Sequence, residues 1–380
     1  MTEQSNRTVL NSWNEWDPLK HVIVGVATGT MVQAPEPAAQ RNWPEYGFPL
    51  GTYGRLPQEM EDKANQQLDE FAAMLEKRGI RVDRPTPLDF GQKAQTPDWV
   101  QDSMFGCMPP RDVLLTVGNE ILEATMSYRS RWFEYLCYRP LLQQYYKEDP
   151  NSRWEAAPKP RLSDASYNPG FWPEFEAKTE EEQLAAYTYK KTWAITEEEP
   201  LFDAADVGRA GRDLFVQRSA TTNAEGVEWL RRQYRDHRIH EALFRDPEPV
   251  HIDATFVLLR PGLALSNRQR DPLYDQMVDL FRKNHWQIVE CADTAHDEKQ
   301  PLSYCSVWLS MNTLMLDPNT ICVEASETAQ MEQLDKLGFE VNPVPFWDVG
   351  AFGGGLHCAT ADVYREGTLE DYFPKQIPGY

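Results

Sequence analysis

Cys358 ends the run Gly353-Gly-Gly-Leu-His-Cys358, where three consecutive glycines leave a backbone able to bring a thiol close to a ligand. A thiol so placed is a candidate nucleophile, although most cysteines are small buried hydrophobes. The adjacent His357 points to the other side if the segment is extended, which makes it a poor base. His251 is the better one. In Val250-His-Ile-Asp-Ala-Thr-Phe256 the alternation predicts a strand with His251 and Asp253 on one side. A His and an Asp beside an apolar run are expensive unless they are hydrogen-bonded or used, so a satisfied core histidine is the competing reading. Asp203, in Phe202-Asp-Ala-Ala-Asp206, would orient that ring and favour its protonated form. Taken alone it reads as a helix cap or turn residue.

A thiol, an imidazole and a carboxylate serve many hydrolases and transferases. Two further carboxylates, Asp98 and Asp253, narrow the substrate, because a planar guanidinium donates in-plane pairs of hydrogen bonds to such groups. Arg270 follows the segment Leu265-Ser-Asn-Arg-Gln and would hold a substrate carboxylate, unless it is an ordinary surface arginine.

These residues lie far apart in the chain, so something must gather them. The C-terminal half repeats a pattern of hairpin, helix and strand. Phe256–Ser266 turns about Pro261-Gly262, a helix carries Leu273, Met277, Leu280 and Phe281, and Trp286–Cys291 is a strand. Thr313–Glu324, a helix with Met331, Leu334 and Leu337, and a strand from Phe339 to Val344 repeat the order. Looser copies begin at His21, Val113 and Leu214. Units that cannot each bury an apolar face stack about a common centre, and five of them favour a closed ring. The competing arrangement is an ordinary mixed α/β sheet. Asp98, Asp203, His251 with Asp253, and Cys305-Ser306 all lie in links before hairpins, and Cys358 follows the last strand. Equivalent links of a ring converge on one pocket. One domain over 1–380 is expected, with residues 148–200, rich in Pro and charge, as an insertion covering one face.

The net charge of −21 argues against nucleic acid and anionic membrane as partners and suits a cationic substrate. No apolar stretch approaches the roughly 20 residues of a membrane span. Six scattered cysteines without a C-x-x-C pair, and an N-terminus without a targeting signal, point to a reduced cytoplasmic setting with no structural metal.

Ser12-Trp-Asn-Glu-Trp-Asp-Pro-Leu19, Phe202-Asp-Ala-Ala-Asp-x-x-Arg-Ala-Gly-Arg-Asp213, His251-Ile-Asp-Ala-Thr-Phe256, Trp308-Leu-Ser-Met-Asn312 and Gly353–Cys358 resemble the arginine amidinotransferases, over about residues 10 to 372. The resemblance implies a five-bladed α/β propeller, the pentein fold. It also implies Cys358 as nucleophile, His251 as acid/base, Asp203 as its partner, Asp98 and Asp253 as guanidinium ligands, and Arg270 as ligand of the arginine carboxylate. Ser306 matches a polar residue near the nucleophile. Neither metal nor organic cofactor is expected, and a homodimer fits the family. L-arginine would donate its amidino group to a small amine and leave as ornithine.

Glu248 and Val250 depart from the glycine-type pattern on the acceptor side. They point to a larger or cationic acceptor, with Glu248 as a contact, as in bacterial enzymes of guanidinylated natural products and nearest the saxitoxin type. Two alternatives remain open. One is a deiminase or dihydrolase with water as acceptor; the other is an inactive arginine-binding scaffold.

Overall fold

The computed structural model describes residues 8–40, 43–188, 193–246 and 249–380. Among them are five three-stranded sheets built on one plan. In four, two antiparallel strands join through a tight turn, a helix follows, and a third strand returns parallel to the second. They comprise Leu114–Val117, Glu120–Glu123 and Arg153–Ala156; Val207–Ala210, Asp213–Gln217 and Arg238–Ala242; Phe256–Arg260, Leu263–Ser266 and Gln287–Glu290; and Leu314–Asp317, Thr320–Glu324 and Glu340–Val344. The fifth draws on both ends of the chain. Thr360–Arg365 runs antiparallel to Leu19–Val24, which pairs in parallel with Arg81–Asp83.

Parallel pairing forces a crossover, and each sheet spends one helix on it. These are Gln58–Lys77, Tyr135–Glu148, Ala224–Gln233, Asp275–Lys283 and Thr328–Lys336. Their apolar residues recur at helical spacing on the buried side: Leu68, Phe71 and Leu75 in the first, Met277, Leu280 and Phe281 in the fourth. Asn223 starts the third by accepting the Gly226 N–H at 2.8 Å. Gly118 makes the turn between Leu114–Val117 and Glu120–Glu123 at φ +60°, and a Cβ there would strike the Trp13 ring at 2.3 Å.

What positions chemistry is the segment before each leading strand. Short helical turns stand there: Pro110–Val113, Ala204–Asp206, Ile252–Ala254, Val307–Met311 and Trp347–Phe352. The second packs against the first and the third, and the third against the fourth.

Two local expectations are corrected. Residues 153–156, inside the span read as an insertion, form the third strand of the sheet that begins at Leu114, held by Trp154 Nε1 donating to Glu123 at 2.9 Å. The segment Val250–Phe256 is not a continuous strand. His251 has φ +61°, ψ 133° and leads into the turn Ile252–Ala254, and the strand begins only at Phe256. No helix among the described residues is long and apolar enough to cross a membrane.

Candidate active site

A cavity of about 260 Å³ opens where those turns meet. Cys358, His251, Asp203, Asp253, Arg270 and Ser306 all line it, as do Asp112, Arg131, Tyr304 and Asn312.

Cys358 is 3% exposed and sits in the turn between Trp347–Phe352 and the strand Thr360–Arg365. Gly354 has φ +154°, and a Cβ there would lie 2.7 Å from the sulfur, so the glycine makes room for the thiol. Asn312 donates from Nδ2 to Sγ at 3.2 Å, and its Oδ1 accepts the Cys358 N–H at 3.0 Å and the His357 N–H at 2.9 Å. The thiol donates to Asp253 Oδ2 at 3.2 Å.

His251 carries the positive φ, a conformation that costs a non-glycine residue on the order of 1 kcal/mol and turns its ring inward. Nε2 lies 3.1 Å from Asp203 Oδ2 and Nδ1 3.5 Å from Asp112 Oδ1. Arg131 donates to Asp112 at 2.9 Å, lies 3.7 Å from Asp203, and forks onto Glu134 at 3.0 and 2.8 Å. The sulfur, a His251 ring nitrogen and an Asp112 oxygen lie within 4.8 Å of one another.

The charges follow from this packing. Burial would lower the His251 pKa, but Asp112, Asp203 and Asp206 outweigh it and raise it to about 10. The ring is therefore an imidazolium at neutral pH. Burial, together with the charges of Asp253 and Asp112, pushes the Cys358 thiol well above its ordinary range. Asp253 is opposed by burial yet held below its usual value by His357 and His251. Asp112 is raised by burial, which His251 and Arg131 offset in part. Within this acidic lining, Asp112 Oδ1, Asp203 Oδ1 and Asp253 Oδ1 are buried acceptors without a hydrogen bond among the described residues, and the nearest donor to Asp112 Oδ1 is His251 Nδ1 in the 3.5 Å ion pair.

Asp98 stands elsewhere. It does not line the cavity; it forms an ion pair with the exposed Arg161, accepting Nε at 3.1 Å, and that pairing lowers its pKa. The carboxylate that faces the cavity from this part of the chain is Asp112. The signal was available: Asp112 immediately precedes the hairpin at Val113, as His251 and Asp203 closely precede theirs, whereas Asp98 lies fifteen residues upstream of it. Glu248 lies outside the described residues. Arg270 reaches Asp246 at 3.1 Å and Thr255 Oγ1 at 3.3 Å, and Ser306 Oγ caps the turn Val307–Met311 by accepting the Trp308 N–H at 3.3 Å. Asn312, quoted in a motif but given no role, proves to hold the thiol. His357 does not line the cavity; its ring contacts Asp253 Oδ2, the oxygen that also meets the thiol, at 2.7 Å.

Asp112, His251 and Cys358 also have a spacing that a metal ion would accept, as do His296, Glu324 and Glu327. In the first group both imidazole nitrogens are turned to carboxylates, and that arrangement favours a protonated ring over a metal ligand.

A family model described as arginine deiminase matches residues 252–365. The mitochondrial glycine amidinotransferase of Xenopus tropicalis is 40% identical over 368 residues, covering 95% of this chain and 84% of that one. The L-arginine:L-lysine amidinotransferase of Pseudomonas savastanoi pv. phaseolicola is 38% identical, covering 95% and 96%. Among solved structures, SxtG, an amidinotransferase from Microseira wollei in the saxitoxin biosynthetic pathway, superposes with a TM-score of 0.83 at 38% identity, covering 96% of this chain and 99% of that one.

Proposed function

This chain belongs to the amidinotransferase family, and we propose that it transfers the amidino group of L-arginine to an amine through a covalent amidino-cysteine at Cys358, releasing L-ornithine. The observation that carries this reading is the set of buried carboxylates, Asp112, Asp203 and Asp253, that line one cavity with a thiol and an imidazolium. A planar cation with N–H donors offers such a lining both hydrogen bonds and opposite charge, where an anion would be repelled.

The steps follow from the charges. At rest, Asp253 and Asp112 keep the thiol neutral. A guanidinium seated between them brings compensating positive charge, and the thiol then passes its proton to Asp253 Oδ2, which it already contacts and which holds it until His251 is neutral. The thiolate attacks the guanidinium carbon. His251 delivers a proton to the departing nitrogen and is refilled by the one the thiol surrendered, so ornithine leaves as a neutral amine and not as an anion. The amidino group stays on sulfur as a cation held by the same carboxylates. The acceptor amine then attacks that carbon, its surplus proton passes by way of His251, and the C–S bond breaks to restore the thiol. Arg270 is the ligand for the substrate carboxylate.

The five equivalent sheets are, in this reading, blades of a pentein propeller whose axial turns supply the site. The acceptor is an amine larger or more cationic than glycine, in guanidinylated natural-product synthesis; Val250 in the cavity lining supports this. A hydrolytic reading, with water as acceptor, draws support from the arginine deiminase match. Arginine labelled in its amidino carbon, incubated with a panel of amines, separates the two. Ornithine and a labelled guanidino product that require an amine support transfer. Citrulline without such a product sinks it. Cys358→Ser should abolish both products.

A further inference from the structure

Beneath Asp253, on the side away from the cavity, a line of buried charges takes no part in the steps above. Arg209, 1% exposed, grips Glu15 with both arms of its guanidinium, Nε to Oε1 at 2.8 Å and Nη2 to Oε2 at 2.7 Å. Burial opposes the Glu15 charge, but Arg209 and His357 hold its pKa well below the usual carboxylate range. His357 stands next, with Nε2 3.3 Å from Glu15 Oε2 and Nδ1 2.7 Å from Asp253 Oδ2. Both imidazole nitrogens thus face carboxylates, Asp253 on one side and Glu15 on the other. Arg209, Glu15, His357 and Asp253 form one connected line, ending on the oxygen that also receives the Cys358 thiol.

The chain reversal at Asn312 makes this possible. Asn312 Oδ1 receives the N–H groups of both His357 and Cys358, and these two successive side chains meet one oxygen of Asp253. With Oδ2 shared between them, Asp253 Oδ1 is left without a hydrogen bond among the described residues, on a carboxylate that lines the cavity. A carboxylate free to rotate would lose that aim.

We infer that His357, backed by Glu15 and Arg209, is a positioning residue that turns Asp253 so that Oδ2 meets the thiol and Oδ1 meets the substrate cation. The inference rests on the amidino-transfer reading. It also gives a task to Glu15 and Arg209, which lie in sequence motifs that the chemistry does not otherwise use.

The test is rapid-quench measurement of adduct formation on Cys358 from amidino-labelled arginine over a range of arginine concentrations. In His357→Ala the adduct forms about 10- to 100-fold more slowly at saturating arginine, and half-saturation moves to higher arginine. His357→Asn, whose amide can replace the Nδ1 donor, restores most of the rate; a merely space-filling role would not distinguish Asn from Ala of equal stability. Thermal melting establishes that each variant is folded. A folded His357→Ala with wild-type rate and half-saturation overturns the inference. Should that variant not fold, the isosteric Glu15→Gln carries the test. It removes the anion behind the ring and is expected to slow the adduct step, and a wild-type rate there overturns the inference equally. A wild-type protein that forms no adduct sinks the transfer reading itself, whereas wild-type adduct with unchanged variants sinks only the role of His357.

Discussion

Asn312 and Cys358 are joined twice, side chain to thiol at 3.2 Å and side chain to backbone at 3.0 Å, across forty-six residues of sequence. One amide therefore fixes where the sulfur lies and how the chain around it turns. Asn312→Ala should leave the Cys358 N–H without its acceptor and the His357 N–H with only the backbone carbonyl of residue 312, at 3.3 Å, and lower stability by about 1–3 kcal/mol. Adduct formation from arginine should slow as well. Denaturant titration and rapid-quench kinetics read the two effects, and a variant unchanged in both removes Asn312 from the site.

Asp112 and Asp98 are told apart by their surroundings. Asp112 is 1% exposed and lines the cavity beside His251, while Asp98 is engaged with an exposed arginine. Asp112→Asn should weaken arginine binding by about 2 kcal/mol or more, since it removes one of the two anions that would face the substrate cation. Asp98→Asn should leave it unchanged. Calorimetric titration with arginine on a Cys358→Ser background measures both, and the reverse ranking would restore Asp98.

The His251 imidazolium links folding to pH. Burial works against its charge, yet Asp112, Asp203 and Asp206 raise its pKa from 6.5 to about 10. A group bound more tightly to its proton in the folded state contributes stability that is complete below about 6.5 and disappears as pH rises through about 10. The stability gap between wild type and His251→Gln should therefore be widest near neutral pH and below, and narrow on the alkaline side. Arginine turnover should decline over the same alkaline range as the proton for the leaving amine is lost. A gap that stays constant across that range contradicts the assignment.

Gly354→Ala asks whether the glycine run serves the thiol. The added methyl would lie 2.2 Å from Cys358 Cβ and 2.7 Å from its sulfur, both of which must move. A displacement of that size should cut adduct formation by about 100-fold while the protein still folds. Normal kinetics in this variant would mean that the turn adjusts freely.

Much of the architecture was legible because it is written in local patterns. The hairpins at Val113, Phe256 and Thr313 and the stripes Leu68-Phe71-Leu75 and Met277-Leu280-Phe281 announce themselves through turn residues and helical spacing, and each stands where expected. The strand Arg153–Ala156 does not, because only two of its four residues are apolar and its place is set by the neighbouring strand Glu120–Glu123. The pairing of Leu19–Val24 with Thr360–Arg365 likewise has no local signature, as the two lie at opposite ends of the chain.

For the site, residue chemistry and motif picked out Cys358, His251, Asp203 and Asp253 as the groups to bring together, and all four line one cavity. The sequence by itself determined which functional groups were available and that repeated links would present them. Only the tertiary structure decided how close the Asp112 carboxylate comes to the thiol, and that His357 turns to Asp253 outside the cavity lining. The direction of a side chain in a short turn depends on backbone dihedrals such as the positive φ of His251 and on contacts with turns from other sheets. Neither is encoded in the spacing of residues along the chain, because both arise when separate units pack together.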